Sequence, residues 1–171
     1  MNDSPILQGK HAVVFGAGGS IGAAVARKFG AEGAEVFLAG RTESTLDAVT
    51  RKIKESGGRA SCAVIDALDD SAVDEYLDRL VKQAGGIDIE FNATGPRIIE
   101  YGNGKPAVDL PVAEFMVAQT VLTSQFITAR CAAQRMFPQG SGVIIFLIGS
   151  PARPHLPGSS GIGAAFGASK S

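Results

Sequence analysis

Short apolar runs alternate along the chain with segments whose apolar residues recur every three to four positions. Five runs read as strands: His11 to Phe15, Glu35 to Ala39, Ala60 to Ile65, Ile87 to Phe91 and Val143 to Ile148. Their near-continuous Val, Ile and Phe content predicts strands covered on both faces, as in parallel sheets. A sixth run, Ile98-Ile99, lies in a Gly/Pro-rich stretch and reads as loop. Between the strands, Ile21, Ala24, Val25 and Phe29 share one helical face, closed by Gly30 and Gly33. Leu46, Val49 and Ile53 mark a second helix, stopped at Gly57-Gly58. Val73, Leu77, Leu80 and Val81 mark a third, with Ser71 as candidate N-cap and Gly85-Gly86 as stop. Phe115 to Met136 forms a long fourth, followed by Pro138 and Gly140. Strict β-α alternation predicts a doubly wound parallel sheet with right-handed crossovers, a Rossmann-type α/β fold.

Composition narrows this reading. The 171 residues suit a single domain spanning 1–171, and 45% hydrophobic content supports a packed core. A formal net charge of −1 gives no basic excess for nucleic acid. Cys62 and Cys131 form no metal or disulfide pattern, which points to a reducing, cytoplasmic setting. The N-terminus lacks the apolar run of a signal peptide, and no stretch is long and apolar enough to predict a membrane span.

The chemistry is announced at the turn after the first strand, Gly16-Ala17-Gly18-Gly19-Ser20-Ile21-Gly22. Gly16 permits a tight turn, Gly18 or Gly19 lets a pyrophosphate approach the backbone, and Gly22 lets the helix pack close to the strand. The helix N-terminus then faces the phosphates. The spacing is GxGxxxG, and the strand-to-helix context is the one such a motif requires. A ligand-free glycine turn is the alternative. NAD sites place an acidic residue about 20 positions beyond the glycines, on the ribose 2′-hydroxyl. Here Gly40-Arg41-Thr42 offers a cation instead, which fits a 2′-phosphate and hence NADP(H) rather than NAD(H). A plain surface arginine is the alternative. Asp66, ending the third strand, offers an acceptor for an adenine amino group or serves only as a turn residue.

These residues resemble the short-chain dehydrogenase/reductase family, over about Gly9 to Lys170. Phe15 to Gly22 resembles its TGxxxGxG turn, and Ala39-Gly40-Arg41 the NADP-preferring end of its second strand. Ile87 to Gly95 resembles the segment ending in NNAG, with Asn92, Ala93 and Gly95 at cofactor-binding positions. Ile148-Gly149-Ser150 looks like the strand end bearing the catalytic Ser, and Ala165-Phe166-Gly167-Ala168-Ser169-Lys170 like the YxASK helix start. The resemblance implies hydride transfer between a nicotinamide and a small-molecule carbonyl or alcohol. In it Ser150 holds the substrate oxygen, and Lys170 contacts the nicotinamide ribose.

Several positions depart from that pattern. The family's Tyr is Phe166, its relay Asn aligns with Val121, and Ser20 replaces a glycine. Ser150 and Phe166 are 16 positions apart, longer than in the family, which predicts an inserted loop around Pro154 to Ser160. A benzyl group moves no proton, and general acid–base catalysis contributes roughly 10²–10⁴-fold. His155 and Tyr101 are substitute proton carriers, each with a bland alternative as a loop residue. Glu90, inside a buried strand, requires a cationic partner or a less covered strand.

The resemblance also implies further C-terminal strands and a substrate-covering segment after Lys170. The chain is therefore expected to be a fragment that exposes apolar surface and aggregates or dimerises, with the full-length form a homo-oligomer. The resemblance implies a dimer face on the fourth helix, and packing on the sheet alone is the alternative. Three functions remain: an NADP(H)-dependent short-chain oxidoreductase with an altered proton relay, a non-catalytic dinucleotide-binding sensor or subunit, and a flavin-nucleotide binder.

Overall fold

A computed structural model describes residues 5–149 and 158–169. The elements run β1 (His11–Phe15), α1 (Ser20–Ala31), β2 (Glu35–Gly40), α2 (Glu43–Glu55), β3 (Arg59–Val64), α3 (Asp70–Ala84), β4 (Ile89–Asn92), α4 (Val112–Gln139), β5 (Val143–Phe146) and α5 (Ser160–Ala168). The sheet is parallel throughout, in the order β3-β2-β1-β4-β5. The chain winds outward from β1 in one direction and then restarts on its other side with β4. The crevice at this reversal lies at the carboxyl ends of β1 and β4, where Phe15 pairs with Asn92.

Alternation along the strands divides the core. Ala12, Val14, Val36, Leu38, Ile89 and Phe91 face α1 and α2, with Leu46, Val49 and Ile53. Val13, Phe15, Phe37 and Ala39 face α3 and α4, with Leu77, Leu80, Ile127 and Cys131. On the second side, Arg135 of α4 reaches α3. Its guanidinium donates to Asp74 at 2.6 Å, to Asp78 at 2.7 Å and to the Asp74 carbonyl at 3.0 Å.

Local chemistry sets the helix ends. The N-cap of α3 is Asp69, whose Oδ1 accepts from the Ala72 amide at 3.0 Å, so the expected cap Ser71 lies inside the first turn. Gly85 and Gly140 close α3 and α4 in the left-handed region. Helix α4 begins before Phe115, at Val112, and carries Pro138 in its last turn. Gly30 does not close α1. It is buried within it, and a side chain there would press into Ile53 of α2. Ile98–Tyr101 forms a turn of 3-10 helix where an irregular loop was expected.

The expectation of strands covered on both faces fails at β5. Val143, Ile144 and Ile145 are 53%, 36% and 38% exposed. Among the described residues β5 is the outer strand, with no neighbour beyond it. Its apolar run therefore lacks the cover that β1 and β4 receive.

Candidate functional site

A cavity of about 570 Å³ opens at the carboxyl ends of the strands. The glycine turn forms its floor. Gly16 has φ +74°, and a Cβ there would stand 2.7 Å from the Ala93 carbonyl carbon and oxygen. That approach brings the end of β1 against the end of β4, where the Ala93 amide donates to the Phe15 carbonyl at 3.0 Å. A Cβ on Gly22 would collide with the Gly16 carbonyl, so α1 packs onto the turn only with glycine there. A Cβ on Gly18 would meet the Thr45 hydroxyl, itself held on the Thr42 carbonyl at 2.8 Å.

Gly19 stands at the N-cap of α1 with no side chain to cap it. The first helical bond runs from the Ala23 amide to the Gly19 carbonyl at 2.8 Å. The amides of Ser20, Ile21 and Gly22 therefore have no intrahelical acceptor and carry the positive end of the helix dipole. Gly16, Gly18 and Gly19 line the cavity, whereas Ser20 and Ile21 are exposed beside it and Gly22 is buried. Backbone donors, bare glycines and a helix N-terminus fit the pyrophosphate of a dinucleotide.

The end of β2 supplies Gly40, Arg41 and Thr42 to the same cavity. Arg41 is exposed and makes no ion pair among the described residues. Asp66 lines the wall beyond β3. Its Oδ1 accepts from the Leu68 amide at 3.0 Å, which fixes the turn and leaves its other oxygen open.

The segment after β4 completes the wall with Ala93, Thr94 and Gly95. Asn92 does not line it. That residue is fully buried and ties β4 to α4: its Nδ2 donates to Thr128 Oγ1 at 2.8 Å. Its Oδ1 accepts from the Thr94 amide at 2.8 Å and the Thr94 hydroxyl at 2.6 Å. Thr94 in turn shares a hydrogen bond with Ser124 at 2.6 Å. Asn92 thus acts on the cavity through Thr94 and Ser124, both of which line it.

Glu90 lies one pleat behind Asn92, in register with Val13. It is fully buried, and neither oxygen has a hydrogen-bond partner among the described residues. Neither expected resolution holds: no cation pairs with it among the described residues, and β4 is covered. Burial pushes its carboxyl from the ordinary 4.5 up to about 8. Burial without a partner thus favours the neutral, protonated form of Glu90.

Ser150, Lys170 and His155 lie outside the described residues. Phe166 and Val121, the two departures from the proton relay, come together. Val121 is buried with Ala118, Ile162 and Ala165, and Phe166 packs against that group. Tyr101 joins the same group rather than the cavity wall, and burial pushes its phenol up. A residue-by-residue reading missed Arg97 and Glu100, which line the cavity together with Arg41. The one signal available for them was opposite charge three positions apart.

A family model for short chain dehydrogenase matches residues 10–171. Gluconate 5-dehydrogenase of Gluconobacter oxydans is 30% identical over 167 residues, covering 96% of this chain and 62% of that protein. The 7alpha-hydroxysteroid dehydrogenase of Escherichia coli K12 is 29% identical over 145 residues, 84% of this chain and 54% of that protein. The structure of NAD+-bound xylitol dehydrogenase superposes with a TM-score of 0.88 at 28% identity, over 95% of this chain and 62% of that one. The chain spans about half the length of several curated relatives it matches.

Proposed function

The chain belongs to the short-chain dehydrogenase family, and from that membership we propose that its cavity binds NADP(H) in preference to NAD(H), as part of an oxidoreductase acting on a small carbonyl or alcohol. The observation that carries the preference is Arg41. It is an exposed cation at the end of β2, beside the glycine cradle, with no ion pair among the described residues, where an NAD site would carry a carboxylate. Similar proteins are named for gluconate, hydroxysteroid and xylitol oxidation, all chemistry at an alcohol carbon.

When bound, the dinucleotide supplies or takes up a hydride. The residues of this chain bind and orient it. The Gly16-to-Gly19 backbone would leave room for the pyrophosphate, the first amides of α1 would donate to it, and Arg41 would hold the 2′-phosphate. Asp66 offers its open oxygen to the adenine. Ala93 and Gly95 border the path towards the nicotinamide end. Asn92 holds Thr94 and Ser124 in place from behind. By family resemblance Ser150 would hold the substrate oxygen and Lys170 the nicotinamide ribose. Phe166 leaves that pair without the family's phenol, so the proton relay is altered.

Titration of the purified chain with NADPH and NADH tests this reading. Tighter NADPH binding is expected, with the preference lost in Arg41→Ala. Binding of neither dinucleotide, or a preference indifferent to Arg41, would overturn it. A second reading, a dinucleotide-binding protein without chemistry of its own, is favoured by the apolar group that Val121 and Phe166 share. Carbonyl-dependent NADPH oxidation by the wild-type protein would exclude it. Activity gained only in Phe166→Tyr would support it.

A further inference from the structure

The rim of the cavity carries a carboxylate that the strand end lacks. Glu100 sits in the turn Ile98–Tyr101 and lines the cavity together with Arg41 and Arg97. Arg97 fixes it from three sides. The Arg97 amide donates to Glu100 Oε2 at 2.8 Å, Nε donates to Oε1 at 2.8 Å, and Nη2 stands 2.7 Å from Oε1. These bonds, with a smaller contribution from the charge of Arg41, hold its carboxyl below the ordinary range. Glu100 is thus ionised, held in one geometry and in the field of Arg41. Its side chain is 36% exposed and lines the cavity, and a carboxylate oxygen accepts more than one hydrogen bond, so acceptor capacity remains.

The rim therefore presents two guanidinium groups and one carboxylate. A phosphate dianion there gains from Arg41 and Arg97 and is repelled by Glu100. A sugar hydroxyl meets no such repulsion, and a carboxylate is the acceptor that NAD sites use for it. We propose that Glu100 is a second determinant of dinucleotide choice, set against Arg41: it stands in for the missing acidic residue of β2 and restrains the preference for the 2′-phosphate. The inference rests on the NADP(H) reading of the cavity. It predicts a chain that discriminates between the two dinucleotides only moderately, with Glu100 setting the margin.

The test is a fluorescence titration of the full 171-residue chain with NADPH and with NADH, at low and at high salt. Glu100→Gln keeps an acceptor for the Arg97 amide and removes the charge. It should raise the NADPH:NADH affinity ratio roughly fivefold or more, mainly through tighter NADPH binding, and the gain should shrink at high salt. Glu100→Asp keeps the charge and should stay closer to wild type than Glu100→Gln. A role confined to the turn would shift both dinucleotides by one common factor. A ratio within twofold of wild type in Glu100→Gln, or an equal change in Glu100→Asp, overturns the inference. Those outcomes leave the NADP(H) reading standing if the wild type still prefers NADPH through Arg41. A wild type that binds neither dinucleotide overturns both.

Discussion

Gly16 and Gly18 stand two positions apart, yet a methyl group on each meets very different neighbours. At Gly16 it would face backbone atoms of Ala93 and Thr94, which cannot turn aside, at a φ of +74° that L-residues rarely adopt. Gly16→Ala is expected to cost about 2 kcal/mol or more in urea denaturation, because it separates β1 from β4. At Gly18 the obstacle is the Thr45 hydroxyl, the end of a side chain that can rotate. Gly18→Ala should lose less than about 1 kcal/mol of stability and yet weaken dinucleotide binding in a titration. Glu90 gives a pH signature. Its carboxyl titrates near 4.5 in the unfolded chain and near 8 in the folded one. Between those values the folded state holds a proton that the unfolded state has lost, so stability falls as pH rises from about 4.5 through about 8 and levels off above. Glu90→Gln should flatten that slope and gain a few kcal/mol at pH 8, read from denaturation midpoints across the range.

Between elements, the apolar α3–α4 contact is tied at its edge by two arginines of α4, Arg130 on Asp70 and Arg135 on Asp74 and Asp78. Arg135 is 10% exposed while its acidic partners are about half exposed, so losing the guanidinium leaves no buried charge. Arg135→Met is expected to cost about 1–2 kcal/mol by thermal or urea melts, without change in dinucleotide affinity. Strand and helix positions were legible in the sequence because they depend on local period: the apolar runs at His11, Glu35 and Val143 each mark a strand. The glycine turn was legible for the same reason, each glycine answering a local steric demand. What escaped depends on neighbours remote in sequence. The exposure of Val143, Ile144 and Ile145 follows from what stands beside β5, not from its own residues. Arg97 and Glu100 matter because a 3-10 turn brings them to the rim shared with Arg41. The inward aim of Asn92 is set by Thr128, on a different element. Asp69 and Ser71 are both competent caps, and only the backbone path into α3 decides between them.

Across the molecule, the outer strand bears on solution behaviour. Among the described residues β5 is a part-exposed apolar strand with no strand on its far edge, and such an edge is a template for pairing. The chain is expected to self-associate with rising concentration in sedimentation velocity runs, and Val143→Lys should reduce that association at little cost in stability. A different long-range feature is the side chain of Gln125, which is 1% exposed. Its Nε2 donates to the Leu147 carbonyl just past β5, at 3.1 Å. Its Oε1 accepts from the Ser169 hydroxyl at the end of α5, at 2.6 Å. One amide on α4 therefore acts as the clasp of a ring. The chain leaves it at Leu147, three residues before Ser150, and returns at Ser169, one residue before Lys170. With both ends fastened to one point, the circumference can vary while the clasp stays put, since doubling a closed loop costs only about 0.6 kcal/mol. Leu147 and Ser169 thus stay joined through a single buried side chain, whatever the length of chain between them.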